Sequence, residues 1–341
     1  MTAVARYFRM AVKTTSSIWI LLICVLFTSA CGGEKAVDTR IRVIIDADAN
    51  NEVDDQHAIA YTLFNGDVFD LAGITVNRTR NGGDILKHCE EAERVVTLCG
   101  LQSQVNVYKG ADGNFKEIAS HVNDAHFDGE EAVNFIIEQA HANDDRQLVL
   151  IPVGKLTNIA LALKKDPSIA AKVRIVWLGS NMPVNPGEYN FDNDTASVNY
   201  VLESDVIFEV SVVRNSEHSG TEAVKVSTKE MQANMPGKGP QISTAIEGRS
   251  GGTFTNFGDY AVDLFEKTKN EHRSLFDVCA VALVKNPGWA ERVEMSAPTW
   301  VNDAWKAQPE NERKIIIWEN YDKQGIIADF FNTMENYVLV K

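Results

Sequence analysis

The chain is poor in cysteine, with 5 among 341 residues. Cys24 sits inside an N-terminal apolar run and Cys31 just after it, which leaves Cys89, Cys99 and Cys279 for the body of the chain. Cys89 and Cys99 fall on one helical stretch, about 15 Å apart at the helical rise, too far for a disulfide unless the helix ends early. No CxxC pair and no Cys/His spacing suited to zinc occurs. The three cysteines read as buried small hydrophobes. Basic charge is scarce too: 33 Lys and Arg stand against 47 Asp and Glu, a formal net charge of −14. No basic stripe exists outside the extreme N-terminus, which argues against a nucleic-acid partner. Long apolar runs are missing. The one at residues 18–27 (IWILLICVLF) is too short to span a bilayer comfortably. No internal repeat and no low-complexity tract interrupts the rest, whose 45% hydrophobic and 23% charged composition suits one large globular domain.

What is there begins with a leader. Arg6, Arg9 and Lys13 precede the apolar run, and Thr28-Ser29-Ala30-Cys31 follows it. A basic segment, a short apolar segment and small residues before a cysteine resemble a bacterial lipoprotein signal, with Thr28 where a leucine is usual. The expectation is a signal peptide over residues 1–31 ending at an acylated Cys31, a flexible tether over 32–40 and a single domain over 41–341. An ordinary secretory signal is the alternative. Either way the mature protein is expected in the periplasm or cell envelope, meeting the membrane through a lipid anchor only.

Beyond the leader, strand and helix patterns alternate. Residues 42–45, 71–76, 105–108, 147–152, 173–178 and 206–213 read as strands. Residues 54–64, 84–98, 130–140, 156–163 and 195–203 read as helices between them, the second with Glu90, Glu91 and Glu93 outward. Residues 213–256 are crowded with glycine and loosen the pattern into a lid or an irregular insertion. Helices resume at 257–269, 275–284 and 325–337, with strands near 293–295 and 315–318. This predicts an α/β fold with an open, mainly parallel central sheet flanked by helices. Ligands collect at the carboxyl ends of such strands, where Asp46, Asn77 and Gly154 all fall.

The chemistry concentrates in residues 43–60, VIIDADANNEVDDQHAIA. Asp46, Asp48, Asp54 and Asp55 gather at the end of a β-branched run. Unpaired, they would repel one another, and a hard cation such as Ca²⁺ or Mg²⁺ takes oxygen ligands and supplies the missing charge. Three further pieces accompany them: Gly154-Lys155-Leu156-Thr157-Asn158, then Asn181 with Gly187-Glu188-Tyr189-Asn190-Phe191, then Leu275-Phe276-Asp277-Val278.

In this order, over nearly the whole mature chain, the four pieces resemble the inosine-uridine preferring nucleoside hydrolases. The resemblance implies an open α/β fold and Ca²⁺-dependent hydrolysis of the N-glycosidic bond of ribonucleosides to ribose and free base. It implies Asp46, Asp55, Thr157 (by its carbonyl) and Asp277 as metal ligands, Asp54 as general base, and Asn77 beside the sugar and water. Asp48, Asn181, Glu188 and Asn190 would meet the substrate, with His126 in a loosely matching His-Gly segment. The partner is then a small nucleoside or related glycoside, and a homo-oligomer is possible.

The sequence also departs from the family pattern D-x-D-P-x-x-D-D. After Asp48 come Ala49-Asn50-Asn51-Glu52-Val53, two residues more, no proline and an extra acid. Phe276 stands where many members carry a histidine that protonates the leaving base. Arg214-Asn215 replaces a short uncharged turn. His57, His126 and His218 are the candidate acids, whereas His88, His141 and His272 read as surface residues. Trp300 and Trp305 would stack on a base or lie buried. Two alternatives stand beside the main reading: a hydrolase of the same fold for another N- or O-glycoside, and a lipid-tethered sugar-binding protein with little turnover.

Overall fold

The computed structural model describes residues 38–183, 187–215 and 217–341; the leader, Cys31 and the tether as far as residue 37 lie outside the described residues. The first half runs β1 (Ile41–Ala47), α1 (Asp54–Leu63), β2 (Phe69–Val76), α2 (Ile85–Leu98), β3 (Val107–Lys109), α3 (Phe115–Ile118), α4 (Glu130–His141), β4 (Leu148–Pro152), α5 (Thr157–Lys165), β5 (Val173–Leu178), α6 (Tyr189–Asn193), α7 (Thr195–Glu203) and β6 (Ile207–Ser211). The stretch expected to be loose folds into short pieces: β7 (Lys225–Ser227), α8 (Thr228–Asn234), β8 (Ile246–Glu247) and β9 (Thr253–Phe254). The chain continues through α9 (Phe257–Thr268), β10 (His272–Ser274), α10 (Phe276–Lys285), β11 (Glu291–Ser296), β12 (Thr299–Val301), β13 (Ala304–Lys306), β14 (Lys314–Glu319) and α11 (Lys323–Glu335).

Eight strands form the central sheet in the order β11-β14-β6-β5-β4-β1-β2-β3. All neighbours are parallel except β11, which runs against β14 at the edge. Strand β1 is buried from Arg42 to Ala47, as a strand covered on both faces must be. Its side chains alternate between two cores. Val43, Ile45 and Ala47 pack with α1, α2, α9, α10 and α11, while Ile44 packs with α4, α5 and α7 on the other face. Residues Arg40–Lys341 make up one compact unit.

From β1 the order steps outward through β2 to β3, then returns to place β4 on the other side of β1. The order therefore reverses between β1 and β4, and the crevice beyond their carboxyl ends is where an open α/β sheet takes its ligand.

One face of α2 departs from expectation. Glu91 is fully buried instead of outward, and it accepts from Gln56 Nε2 at 3.0 Å, Tyr260 OH at 2.5 Å and the Arg94 guanidinium. His88 is buried as well, not a surface residue. Helical periodicity shows the apolar stripe of α2 but not that the section before α9 folds back over the neighbouring stripe, where Arg94 donates to the Glu247 carbonyl. The three cysteines of the body are free; Cys99 and Cys279 are buried as expected, whereas Cys89 is half-buried.

Phe330 of α11 is fully buried against His57, Tyr61 and Phe331. Phe330→Ala is expected to cost about 3–5 kcal/mol through the lost contacts and the cavity left behind. Urea denaturation followed by circular dichroism measures it; a loss below about 1 kcal/mol would show that this helix does not close the core.

Candidate active site

Beyond the carboxyl ends of β1 and β4 lies a cavity of about 190 Å³. Its floor is acidic. Asp48 leaves the end of β1, Asp54 and Asp55 open α1, and Asp277 lies in the first turn of α10. Oxygens of Asp54, Asp55 and Asp277 come within 4.8 Å of one another, and all three side chains are buried. The two helices pack side by side, so two distant stretches of sequence deliver carboxylates to one point. Asp48 N–H donates to Asp55 Oδ1 at 3.1 Å, and the Thr79 hydroxyl donates to Asp48 Oδ2.

Burial pushes all of these carboxyls upward from the ordinary value of 3.8. Asp48 and Asp54 rise to about 7, chiefly through loss of water and then through neighbouring carboxylates. Asp55 and Asp277 rise well above the ordinary value for the same two reasons. Four buried acids that resist ionising together are a set completed by a cation. All the donors are hard oxygens, which fits a divalent cation of the Ca²⁺ or Mg²⁺ type.

Asp46 does not join them. It points below the floor, where Thr75 and Asn158 donate to Oδ1 at 2.7 and 2.8 Å and Asn77 donates to Oδ2 at 2.9 Å. Side chains alternate along a strand, so Asp46 and Asp48 share a face, but Asp46 still lies within the sheet, level with Thr75 of β2 and Pro152 of β4, whereas Asp48 is past the end of β1. The ligand expected at Asp46 is therefore a structural hub, and Asp48 is the carboxylate of that strand end that meets the cavity. Asn77 lies one layer down with it; its Oδ1 is buried without a partner. Gly154 lets the two layers touch, since a Cβ there would sit 2.8 Å from Asn77 and from Asp48 Oδ1.

Thr157 also stands apart. Its hydroxyl donates to Asp194 at 2.6 Å, and the residue of that turn on the cavity wall is Val153. Val153 directly follows the last residue of β4, a position that strand-end reasoning could have singled out. His126 does not line the cavity: its side chain is 88% exposed and paired with Glu130 in the first turn of α4.

The opposite wall is built by the turn into α6. Glu188 caps that helix, accepting from Ser180 N–H at 2.7 Å, Phe191 N–H at 2.9 Å and Asn190 N–H at 3.0 Å. Ser180 takes φ of 66° to aim its N–H, a left-handed conformation that only a well-bonded turn holds. Asn190 Nδ2 donates to the carbonyls of Val153 and Leu178 at 2.7 and 3.1 Å, tying the wall to β4 and β5. Asn181 is buried behind this wall, its Oδ1 accepting from Asn215 N–H at 3.0 Å. Tyr189, within the motif, and Asn215, of the turn that departs from the family pattern, also line the cavity, though neither was assigned a role. Trp300 and Trp305 are half-buried and pack on Phe191, off the cavity wall.

The lengthened turn after Asp48 is held at several points. Asn50 N–H donates to His88 Nδ1 at 3.2 Å, Asn50 Nδ2 to the Gly82 carbonyl at 2.6 Å and Gln56 Nε2 to the Ala49 carbonyl at 2.6 Å. The extra acid, Glu52, lines the cavity and pairs with Arg273 of β10. His57 lies behind the floor, donating from Nδ1 to the Val53 carbonyl within a ring of phenylalanines; burial pushes its pKa down to about 4.

A model of the inosine-uridine preferring nucleoside hydrolases matches residues 43–327. Among curated proteins, the chain is 27% identical to an inosine-uridine preferring nucleoside hydrolase of Leishmania major over 168 residues, 47% of this chain and 48% of that one. It is 30% identical over 182 residues to the pyrimidine-specific ribonucleoside hydrolase RihB of Escherichia coli, 48% of this chain and 53% of that one. The chain thus spans about half the length of the curated relatives it matches. Two solved structures share the fold: a plant nucleoside hydrolase, PpNRh1, with TM-score 0.67 and 16% identity, and a purine-preferring ribonucleoside hydrolase from Gardnerella vaginalis with TM-score 0.66 and 20% identity. Each covers 86% of this chain and has 98% of its own length covered. With an open, mainly parallel α/β sheet, a buried carboxylate cluster at its switch point and a family match over most of its length, this chain belongs to the inosine-uridine preferring nucleoside hydrolase family.

Proposed function

We propose that the protein hydrolyses the N-glycosidic bond of ribonucleosides to ribose and free base, and that it does so with Ca²⁺. The observation that carries this is the gathering of Asp54, Asp55 and Asp277 within 4.8 Å, with Asp48 beside them on one cavity floor. Asp54, Asp55 and Asp277 would hold the ion, and the wall position of Val153 makes its carbonyl the candidate neutral ligand in place of Thr157. A bound Ca²⁺ would neutralise the clustered charge and supply Lewis acidity toward water and sugar hydroxyls.

The chain's own residues do the rest. Asp54 is one of the three carboxylates gathered within 4.8 Å, so the base role passes to Asp48, which lines the cavity beside them and takes the proton of the attacking water. Glu188 and Asn190, locked by the bonds described above, hold the ribose from the opposite wall. The carboxylates around the ring stabilise positive charge as the anomeric centre takes on oxocarbenium character. Export and acylation at Cys31 form part of the same reading. Radiolabelled palmitate should be incorporated by the intact chain and not by Cys31→Ala; equal labelling would remove the lipid anchor.

Asp48→Asn is expected to lower kcat about 10²–10⁴-fold while metal content, measured by mass spectrometry of the native protein, stays near one ion per chain. A kcat within a few-fold of the original would return the base role to Asp54.

The pH dependence follows from the raised carboxyls. Their folded pKa values lie above 3.8, near 7 for Asp48 and Asp54, so the cation-free fold loses stability as pH rises from about 4 through about 7. A cation requires the ionised forms. The rise in Tm on adding Ca²⁺, relative to EDTA, should therefore be larger at pH 8 than at pH 5. Scanning calorimetry at both pH values decides it, and an equal rise at both would contradict a carboxylate-held ion.

A further inference from the structure

Hydrolysis of an ordinary nucleoside leaves a base that carries developing negative charge, and that base needs a proton as it departs. Among the described residues, no histidine, lysine or arginine lines the cavity to supply it. Phe276 occupies the wall immediately before Asp277. All seven histidines are placed elsewhere. His57 lies behind the floor, and His88 holds the Asn50 turn. His121, His126 and His141 pair with surface carboxylates. His218 and His272 are exposed and off the cavity wall. The four undescribed residues within the body, Val184, Asn185, Pro186 and Ser216, carry no titratable side chain. Glu188 already accepts three backbone N–H groups, Glu52 is paired with Arg273, and the Tyr189 hydroxyl donates to Thr79 at 3.3 Å.

The same cavity is rich in negative charge and in flat apolar surface. Asp48, Asp54, Asp55, Asp277 and Glu188 bring five carboxylates to it, more than one divalent cation neutralises. Phe276, Leu178 and Val213 supply the apolar wall. An aromatic face beside excess negative charge attracts a planar cation.

Resting on the hydrolase reading above, we propose that the preferred substrate is an N-riboside whose base is cationic, joined to the sugar through a quaternary ring nitrogen, as in an N-ribosylpyridinium. The water oxygen bonds to the anomeric carbon and gives a proton to Asp48. The C–N bond breaks with both electrons going to the ring nitrogen, which cancels its positive charge. The ring leaves neutral, so the reaction needs no acid on the leaving side, and one proton is released to solvent when Asp48 is reset. Phe276 is then the residue that sets specificity: it stacks on a cation where an acid would serve a neutral base.

The test compares kcat/KM for N-ribosylnicotinamide with that for inosine and uridine, using the full chain loaded with Ca²⁺. The cationic riboside should be favoured at least tenfold. Phe276→His should then raise kcat on inosine and uridine and reduce that preference at least tenfold. Equal or better turnover of the neutral nucleosides by the original chain overturns the proposal while leaving the hydrolase reading standing. So does a preference that Phe276→His fails to reduce. A tenfold loss on neutral nucleosides in His218→Ala would reveal a proton donor and overturn it as well. Absence of turnover on every N-riboside, with the metal bound, overturns the hydrolase reading together with it.

Discussion

Like charges held close together in a place water cannot reach are the constraint around which this molecule is arranged. Asp48, Asp54, Asp55 and Asp277 are all nearly inaccessible; Asp48 and Asp54 raise the cost of ionising Asp55, and all three raise that of Asp277. Such a cluster persists only if the surrounding fold is stable enough to impose it and if a counter-charge can enter. Both conditions trace to architecture. The carboxylates stand on a buried strand end and two packed helix starts, so none can retreat into solvent. They also line a cavity, so a cation has a way in.

The layer beneath the floor serves that arrangement. Asp46 is buried and its pKa is pushed up mainly by burial, yet three side-chain donors hold it. It joins β1 to Thr75 and Asn77 at the end of β2 and to Asn158 at the start of α5. Asn158 in turn accepts from Ala111 N–H and donates to the Val76 carbonyl. The strands that carry the floor are therefore tied by a second polar network whose members do not line the cavity. The longer turn after Asp48 is accommodated in the same way. His88, Gln56 and Glu91 hold it from beneath, and Arg273 holds Glu52 from the side. Asn51 and Glu52 of the lengthened turn thus line the cavity beside the aspartates.

Much of this was legible in one dimension. Alternating strand and helix patterns gave the parallel sheet, and the density of aspartate at one strand end gave the metal hypothesis. Asp54, Asp55, Asp277, Glu188 and Asn190 all reach the cavity wall as expected. The misplacements were of one kind. Asp46 and Asp48 are two residues apart, chemically identical and both buried, and only their position relative to the sheet end decides which one lines the cavity. Thr157 and Val153 belong to one turn, and only its path places Val153 at the wall. His88 and Glu91 lie on a helix face that a polar pattern marks as outward; the Asn50 turn holds His88, and Tyr260, more than 150 residues later, meets Glu91.

Local order and chemical type were therefore determined by the sequence alone, because hydrophobic periodicity and the clustering of acids are short-range properties of the chain. The family and the class of site follow from them. Which acid of a pair meets the cavity, which histidine is buried, and whether a proton donor faces the leaving group were decided only by tertiary structure. Those outcomes depend on what packs beside each group, and burial, which sets both charge and access, comes from residues distant in sequence.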